Sequence, residues 1–130
     1  MKKAGALGLG LPFSGPLLAS WPEQDPGGEL EIHIFSKHLQ FLDYGRAGEI
    51  SADLGFAGLD LTVRPKGHVE PERVKEDLPA AVKAIRKAGS DCQIITTAVG
   101  SVHNPVDVEV LETAAEMGIG YYRSDWFRYP

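Results

Sequence analysis

Four side chains suited to binding an anionic or hydroxyl-rich ligand follow the first two strand-like segments of the chain. They are Lys37, His38, Arg64 and His68. Lysine and arginine pair with phosphate and carboxylate groups, and histidine changes its charge near neutral pH. Pro65 restricts the preceding Arg64 to extended backbone, which fixes the direction of that residue. The sequence therefore predicts that these four residues bind a phosphate, a carboxylate or a polyhydroxylated ligand.

Each of these residues also has a purely structural interpretation. Lys37 and His38 are adjacent and would then lie in a solvated loop, whereas Arg64 would form an ion pair with Asp60. Further candidates are polar residues near the ends of the strand-like segments. They are Lys66, His103, Arg123 and Asp125. Among them, Arg123 is as well suited to a structural ion pair with Asp60 as to a ligand.

A repeated glycine pattern indicates the elements that position these side chains. Three helix-like stretches each end at a glycine and lead into a short apolar run. These glycines are Gly55, Gly89 and Gly118. Such a glycine closes a helix in the left-handed conformation, and successive glycines are one strand-plus-helix unit apart. With residues 30–35 as the first strand, and His33 as a core histidine within it, the predicted order is β-α-β-α-β-α-β. The later strands are expected at residues 58–63, 92–99 and 121–126.

This order predicts an α/β fold with parallel strands. We expect a partial (β/α)8 TIM barrel of about four parallel strands with three intervening helices. A complete barrel needs about 250 residues, and this chain has 130, so residues 30–130 would form its N-terminal half. Because the loops that follow barrel strands open on one face, the candidate ligand residues would meet there.

Capping residues predict where the helices begin. Asp43 is suited to cap the first helix, and Asn104 is suited to cap the third. Between the second and third strands, Pro71 would open a short helix that ends at Asp77. Asp77 would then cap another helix, with Pro79 tolerated in its first turn. We therefore expect two separate helical pieces in this segment.

Composition and charge narrow the class of partner. The net charge of −5 argues against a general nucleic-acid-binding surface. No apolar run reaches the roughly 18 to 20 residues that a membrane span needs. Cys92 is the only cysteine, which excludes an internal disulfide and favours a buried, apolar role. We therefore expect a small-molecule ligand, no nucleic acid and no membrane span.

Residues 1–29 differ in composition from the rest of the chain. Lys2 and Lys3 precede a run of glycine, alanine and leucine, and small residues follow at Ala19 and Ser20. This arrangement is typical of a secretory leader. We interpret residues 1–29 as a leader-like segment and linker and expect a periplasmic or exported protein. The alternative is a cytoplasmic protein whose N-terminal tail has no targeting role.

Six short strings between residues 30 and 129 carry a family resemblance. They are SKHLQ at 36–40, GLDLTVRP at 58–65, GHVEP at 67–71, DLP at 77–79, ITT at 95–97 and YYR at 121–123. The most specific is the combined string RPxGHVxP. On these residues the chain resembles the sugar phosphate isomerase/epimerase family, which belongs to the xylose-isomerase-like barrels.

The resemblance implies an enzyme that isomerises or epimerises a sugar, a sugar phosphate or a related hydroxy-carbonyl compound. Relatives use a divalent metal, Mn²⁺ or Mg²⁺, to polarise the substrate, and paired glutamates move the proton. In the family the glutamates and the metal ligands come from the fifth to eighth strands. We therefore expect this chain to hold no metal, and we assign no catalytic residue. Substrate-binding roles are carried over to Lys37, His38, Arg64 and His68.

The leading hypothesis is thus an N-terminal fragment of such an isomerase or epimerase, inactive alone. The alternative is a noncatalytic sugar-binding half-barrel that closes as a dimer. In either case the first and fourth strands would be open sheet edges, so self-association is expected. A nuclease is a third possibility, because the superfamily includes apurinic-site endonucleases, but the net charge of −5 disfavours it.

Overall fold

The computed structural model describes residues 28–126, and the sheet and its helices belong to the unit that begins at Glu31. The predicted leader and linker lie outside the described residues, except for residues 28 and 29. The strands are β1 (His33–Phe35), β2 (Gly58–Val63), β3 (Ile94–Thr97) and β4 (Tyr121–Arg123). The helices are α1 (Tyr44–Asp53), α2 (Val74–Lys87) and α3 (Pro105–Glu116). Short 3₁₀ helices cover Ser36–Leu39 and Pro71–Arg73.

The four strands form one parallel sheet in the order β1-β2-β3-β4. Crossovers between parallel strands are right-handed, so this sequential order puts all three helices on the same face of the sheet. The predicted α/β class, the four parallel strands and the three helices are confirmed. Three of the strands, β1, β3 and β4, are shorter than predicted.

The hydrophobic core lies between the sheet and the helices. Leu59, Leu61 and Val63 alternate along β2 and are fully buried. They belong to one cluster with apolar residues of α2 such as Leu78 and Ile85. Burial of each such side chain stabilises the fold by about 1.5 to 3 kcal/mol. The helix-facing side of β2 is therefore what anchors the three helices to the sheet.

The opposite side of the sheet, which we call the inner face, carries the residues that alternate with the core residues. Strand pairing aligns His33 with Gly58, and Phe35 with Asp60. The pairing of β2, β3 and β4 extends the same face across the sheet. The inner-face residues are His33, Phe35, Gly58, Asp60, Thr62, Ile94, Thr96, Tyr121 and Arg123.

Left-handed glycines close all three helices, as predicted. The φ angles are +82° at Gly55, +92° at Gly89 and +72° at Gly118. After α1 the Phe56 N–H donates to the Ser51 carbonyl at 3.0 Å. The equivalent bond is present after α2 and α3, which makes each end a Schellman motif. These motifs end each helix close to the glycine and return the chain to the sheet.

Two helix starts agree with the capping prediction. The Asp43 carboxylate accepts a hydrogen bond from the Arg46 N–H at 2.9 Å at the start of α1. The Asn104 side-chain oxygen accepts from the Val106 N–H at 3.1 Å at the start of α3. Each of these caps contributes about 1 kcal/mol of stability.

The prediction that a helix starts at Asp77 is wrong. Helix α2 runs unbroken over Val74–Lys87 with Pro79 in its interior. The Asp77 carboxylate instead accepts two hydrogen bonds from the Arg73 guanidinium, at 2.9 and 3.1 Å. An interior proline costs about 3 kcal/mol, and burial of apolar side chains such as Leu78 along α2 offsets that cost. The break between the two helical pieces therefore lies at Arg73.

Cys92 lies in the core, as predicted, and burial raises the pKa of its thiol to about 12. Within residues 28–126, no helix has both the length and the apolar character needed to cross a membrane.

Candidate functional site

Phe35, the last residue of β1, brings two of the predicted ligand residues together. The His38 imidazole meets the Phe35 ring edge-on, with ring centroids 6.0 Å apart. The Cζ atom of Arg64 lies 5.6 Å from the centroid of the same ring. His38 is exposed and Arg64 is half-buried. Both residues follow the carboxyl ends of neighbouring parallel strands, so the structure places them on one rim of the sheet.

The loop that carries Arg64 is held in a tight turn. The Gly67 N–H donates to the Arg64 carbonyl at 2.8 Å. Lys66 has a φ of +62°, which matches the third position of a type II turn after proline and costs about 1 kcal/mol for a side chain other than glycine. The Lys66 N–H donates to the Glu70 carboxylate at 2.9 Å. This turn fixes where the Arg64 side chain leaves the sheet.

His68 is engaged by the protein at both ring nitrogens. Its Nε2 lies 3.3 Å from the Leu42 carbonyl oxygen, and its Nδ1 lies 3.1 Å from the Ser36 Oγ. Because a carbonyl only accepts, Nε2 donates the hydrogen bond and Nδ1 of the neutral ring is the acceptor. Burial lowers the pKa of His68, and this outweighs the hydrogen bond to Leu42. His68 therefore has a structural role, and its role in ligand binding stays a prediction.

Ser36 and Thr62 complete the network around His68. The Thr62 N–H donates to the Ser36 Oγ at 2.9 Å, and the His68 N–H donates to the Thr62 Oγ1 at 2.9 Å. Ser36 and Thr62 are fully buried. These bonds tie the end of β2 to the 3₁₀ helix after β1, and they stabilise the relative position of the two loops that carry His38 and Arg64.

Asp60 is the centre of an inner-face polar cluster for which we predicted no binding role. The carboxylate is half-buried, and its two oxygens lie 2.9 and 3.0 Å from the Thr96 Oγ1, whose single hydrogen is donated to the carboxylate. Burial raises the pKa of Asp60, although the Thr96 hydroxyl and the nearby Arg123, His33 and Arg64 act to lower it. The sequence signal for this position is a charged residue, Asp60, between two leucines of β2, Leu59 and Leu61.

Arg64, Arg123 and His33 are the basic neighbours of Asp60. The Cζ atom of Arg123 lies 5.8 Å from the centroid of the Trp126 ring. Arg64 and Arg123 form no ion pair within the described range, so the expected pairing with Asp60 is absent from the contacts of that range. The His33 Nδ1 atom is buried and has no hydrogen-bond partner among residues 28–126. Asp60 can therefore accept, and the Arg64 and Arg123 guanidinium groups can donate, hydrogen bonds with a ligand rich in hydroxyl or anionic groups.

The remaining candidate residues are less closely connected to this cluster. Lys37 and His103 are exposed. The His103 main-chain N–H donates to the Ser101 hydroxyl, and no hydrogen bond or ion pair of either side chain is present in the described range. The structure therefore brings His38 and Arg64 together, and it leaves the ligand roles of Lys37 and His103 as predictions.

The described residues do not fit the divalent metal that the family resemblance implies. Within residues 28–126, no three histidine, cysteine, aspartate or glutamate side chains are grouped so that they could hold a metal ion. His68 also uses both ring nitrogens within the protein.

An apolar groove lies at the β4 edge of the sheet, on the side of α3. Its volume is about 220 Å³, and its lining residues are Leu111, Ala114, Ala115, Ile119, Gly120, Tyr121 and Tyr122. Two of these residues are largely exposed, Tyr121 at 71% and Tyr122 at 51%. The groove is a second feature of the molecule, separate from the polar cluster.

Comparison of the chain with protein-family models, with curated proteins and with solved structures gives no match.

Proposed function

We propose that the chain is the substrate-binding half of a sugar or sugar phosphate isomerase or epimerase built on a (β/α)8 barrel. The observation that most supports this proposal is the parallel sheet of order β1-β2-β3-β4 with every helix on one face. Sequential parallel strands under a single helix layer are the arrangement of half a barrel. Ligands of such barrels bind at the carboxyl ends of the strands, where His38 and Arg64 lie.

In this proposal the chain binds and orients the substrate. The Arg64 guanidinium donates paired hydrogen bonds to a phosphate or carboxylate group. The exposed His38 ring donates to or accepts from a hydroxyl group. Asp60 accepts hydrogen bonds from sugar hydroxyls on the inner face, next to the apolar ring of Phe35. By the family resemblance, the proton transfer and the metal belong to strands five to eight of the complete barrel, and the chain alone is inactive.

Isothermal titration calorimetry tests the binding role. The 130-residue chain is titrated with an aldose, its ketose isomer and the phosphate esters of both. We expect at least one of them to bind, and we expect Arg64→Gln to weaken that binding about 10-fold or more, because a hydrogen bond to a charged group contributes about 1.5 to 3 kcal/mol. The matched control is Arg46→Gln, since Arg46 forms an exposed ion pair with Glu49 on α1. Absence of binding, or equal effects of the two substitutions, would refute the proposal.

A noncatalytic sugar-binding module is a second candidate function. It is favoured by the polar side chains that the strand register brings together on the inner face, Asp60, Thr96 and Arg123, which can bind hydroxyl groups without a metal. Hydrogen exchange with ²H₂O at the carbon next to the sugar carbonyl separates the two functions. Because the chain alone is inactive under the first proposal, the assay uses the chain isolated from its native cells together with any chain that co-purifies with it, with Mn²⁺ added. Exchange favours the isomerase, and sugar binding without exchange favours the module.

A further inference from the structure

Both edges of the parallel sheet lack a neighbouring strand within residues 28–126. In this part of the chain, strand β1 pairs only with β2, and strand β4 pairs only with β3. Each edge therefore presents a row of main-chain N–H and C=O groups that can pair with another strand. All-parallel sheets occur almost only with both faces covered.

Exposed apolar side chains accompany both edges. On the β4 side Tyr121 is 71% exposed, Tyr122 is 51% exposed and Trp126 is 84% exposed. On the β1 side Ile32 is 59% exposed. Its carbonyl accepts from the Ala57 N–H at 2.9 Å, so the backbone at Ile32 already lies beside the chain that enters β2.

The Ile32 side chain lies on the same side of the sheet as the apolar groove beside β4. Side chains alternate along a strand, so Ile32 and Ile34 share the helix-facing side, and Ile34 packs against the core. The apolar groove between α3 and β4 is on that same side, with Tyr122 aligned with the core residue Ile95. An apolar side chain at the β1 edge thus matches an apolar groove at the β4 edge.

We propose that two copies of this chain associate by pairing β4 of each copy with β1 of the other, in parallel, around a two-fold axis along the strands. The resulting sheet has eight parallel strands closed into a barrel, with all helices outside and both inner faces inside. Ile32 of one copy fills the α3–β4 groove of the other. The proposal rests on the second candidate function, the noncatalytic half-barrel module, because a second copy repeats strands β1 to β4 and does not supply the fifth to eighth strands of the isomerase. It identifies a second copy as what closes the barrel.

The exposed apolar side chains at the two edges supply a large part of the area that such a dimer needs. Four exposed apolar side chains per copy, Ile32, Tyr121, Tyr122 and Trp126, accompany the two edges. Together they offer up to about 1,000 Å² in the dimer, since an aromatic side chain buries roughly 150 to 250 Å² when fully covered. A specific interface needs about 1,200 to 2,000 Å² in total, and the paired strands and facing inner faces contribute the remainder.

Sedimentation velocity of the full chain and of three variants tests the proposal. We expect the wild-type chain to be a dimer. Ile32→Lys and Tyr122→Glu should each weaken dimerisation about 100-fold or more, because each substitution acts at both seams of the dimer. The matched control is Leu54→Lys, since Leu54 is 64% exposed and caps the end of α1 instead of lying on an edge strand. Circular dichroism should show the same secondary structure in all variants, because the substituted side chains are exposed.

Mixing the two edge variants gives the decisive result. In the proposed dimer, the lysine of the Ile32→Lys copy meets the glutamate of the Tyr122→Glu copy. An equimolar mixture should therefore form a heterodimer although each variant alone is monomeric. Symmetric pairing of β4 with β4 would leave Ile32→Lys dimeric and would overturn the proposal. A monomeric wild-type chain would also overturn it.

Sugar titration of the same samples separates this inference from the proposed function. A monomer that binds sugar overturns the dimer and leaves the proposed function standing. A dimer with the expected edge dependence that binds no sugar supports the dimer and refutes the proposed function.

Discussion

Gly58, the first residue of β2, lies where a side chain would collide with two other segments. A Cβ atom at this position would be 2.7 Å from the Asp91 carbonyl oxygen and 2.8 Å from the His33 Nδ1. The Asp91 carbonyl also accepts the Leu59 N–H at 2.8 Å. The substitution Gly58→Ala therefore forces apart β1, β2 and the segment that leads into β3.

The expected loss of stability is about 2 kcal/mol. Overpacking of this kind costs about 1 to 3 kcal/mol, and a weakened main-chain hydrogen bond adds about 1 kcal/mol. Alanine recovers about 0.5 to 1 kcal/mol, because it loses less conformational entropy than glycine in a strand. For a fold of this size, the net loss lowers Tm by roughly 8 to 16 °C.

Urea denaturation followed by circular dichroism measures this loss. Gly100→Ala is the matched control, because no heavy atom lies within 4 Å of a Cβ atom built there, and its effect should stay within about 0.5 kcal/mol. Replacing His33 by alanine in the Gly58→Ala background should recover part of the loss, since the Asp91 contact remains. Equal losses for Gly58→Ala and Gly100→Ala would refute the packing argument.

Four further predictions follow from single contacts. Asp60→Asn should raise the free energy of unfolding at pH 7 and weaken sugar binding. The folded-state pKa of Asp60 is raised, so its ionised form destabilises the fold at neutral pH. The stability gain of the variant should therefore disappear as the pH falls to the ordinary carboxyl pKa of 3.8. The wild-type chain should lose stability on acidification below the ordinary histidine pKa of 6.5, since the folded-state pKa of His68 is lowered, and denaturation of His68→Gln should show less of this dependence. Asn104→Ala should destabilise the chain by about 1 kcal/mol, measured as a lower midpoint of urea denaturation. The Cys92 thiol should react with a disulfide reagent only on unfolding, because it is buried with a pKa of about 12; rapid reaction of the native chain would contradict its placement.

Most of the element order could be predicted from short-range signals. Gly55, Gly89 and Gly118 end their helices as predicted, because the Schellman hydrogen bonds join residues within one turn. Asp43 and Asn104 cap their helices for the same reason. The prediction failed at the start of α2, where capping chemistry alone favoured Asp77. There the burial of the α2 side chains on the sheet outweighed the cost of an interior proline, and that burial depends on residues distant in sequence.

The sequence by itself determined the α/β class, the parallel order of strands and which polar residues follow the strands. Only the tertiary structure decided which of those residues remain free to bind. His68 donates a hydrogen bond to the carbonyl of Leu42, 26 residues earlier, whereas Arg64 lies over the Phe35 ring and forms no ion pair within residues 28–126. Asp60 became the centre of the candidate site only when β3 placed Thr96 beside it. The physical reason is that capping and glycine signals act within one turn, whereas hydrogen-bond partners across a sheet are set by strand register.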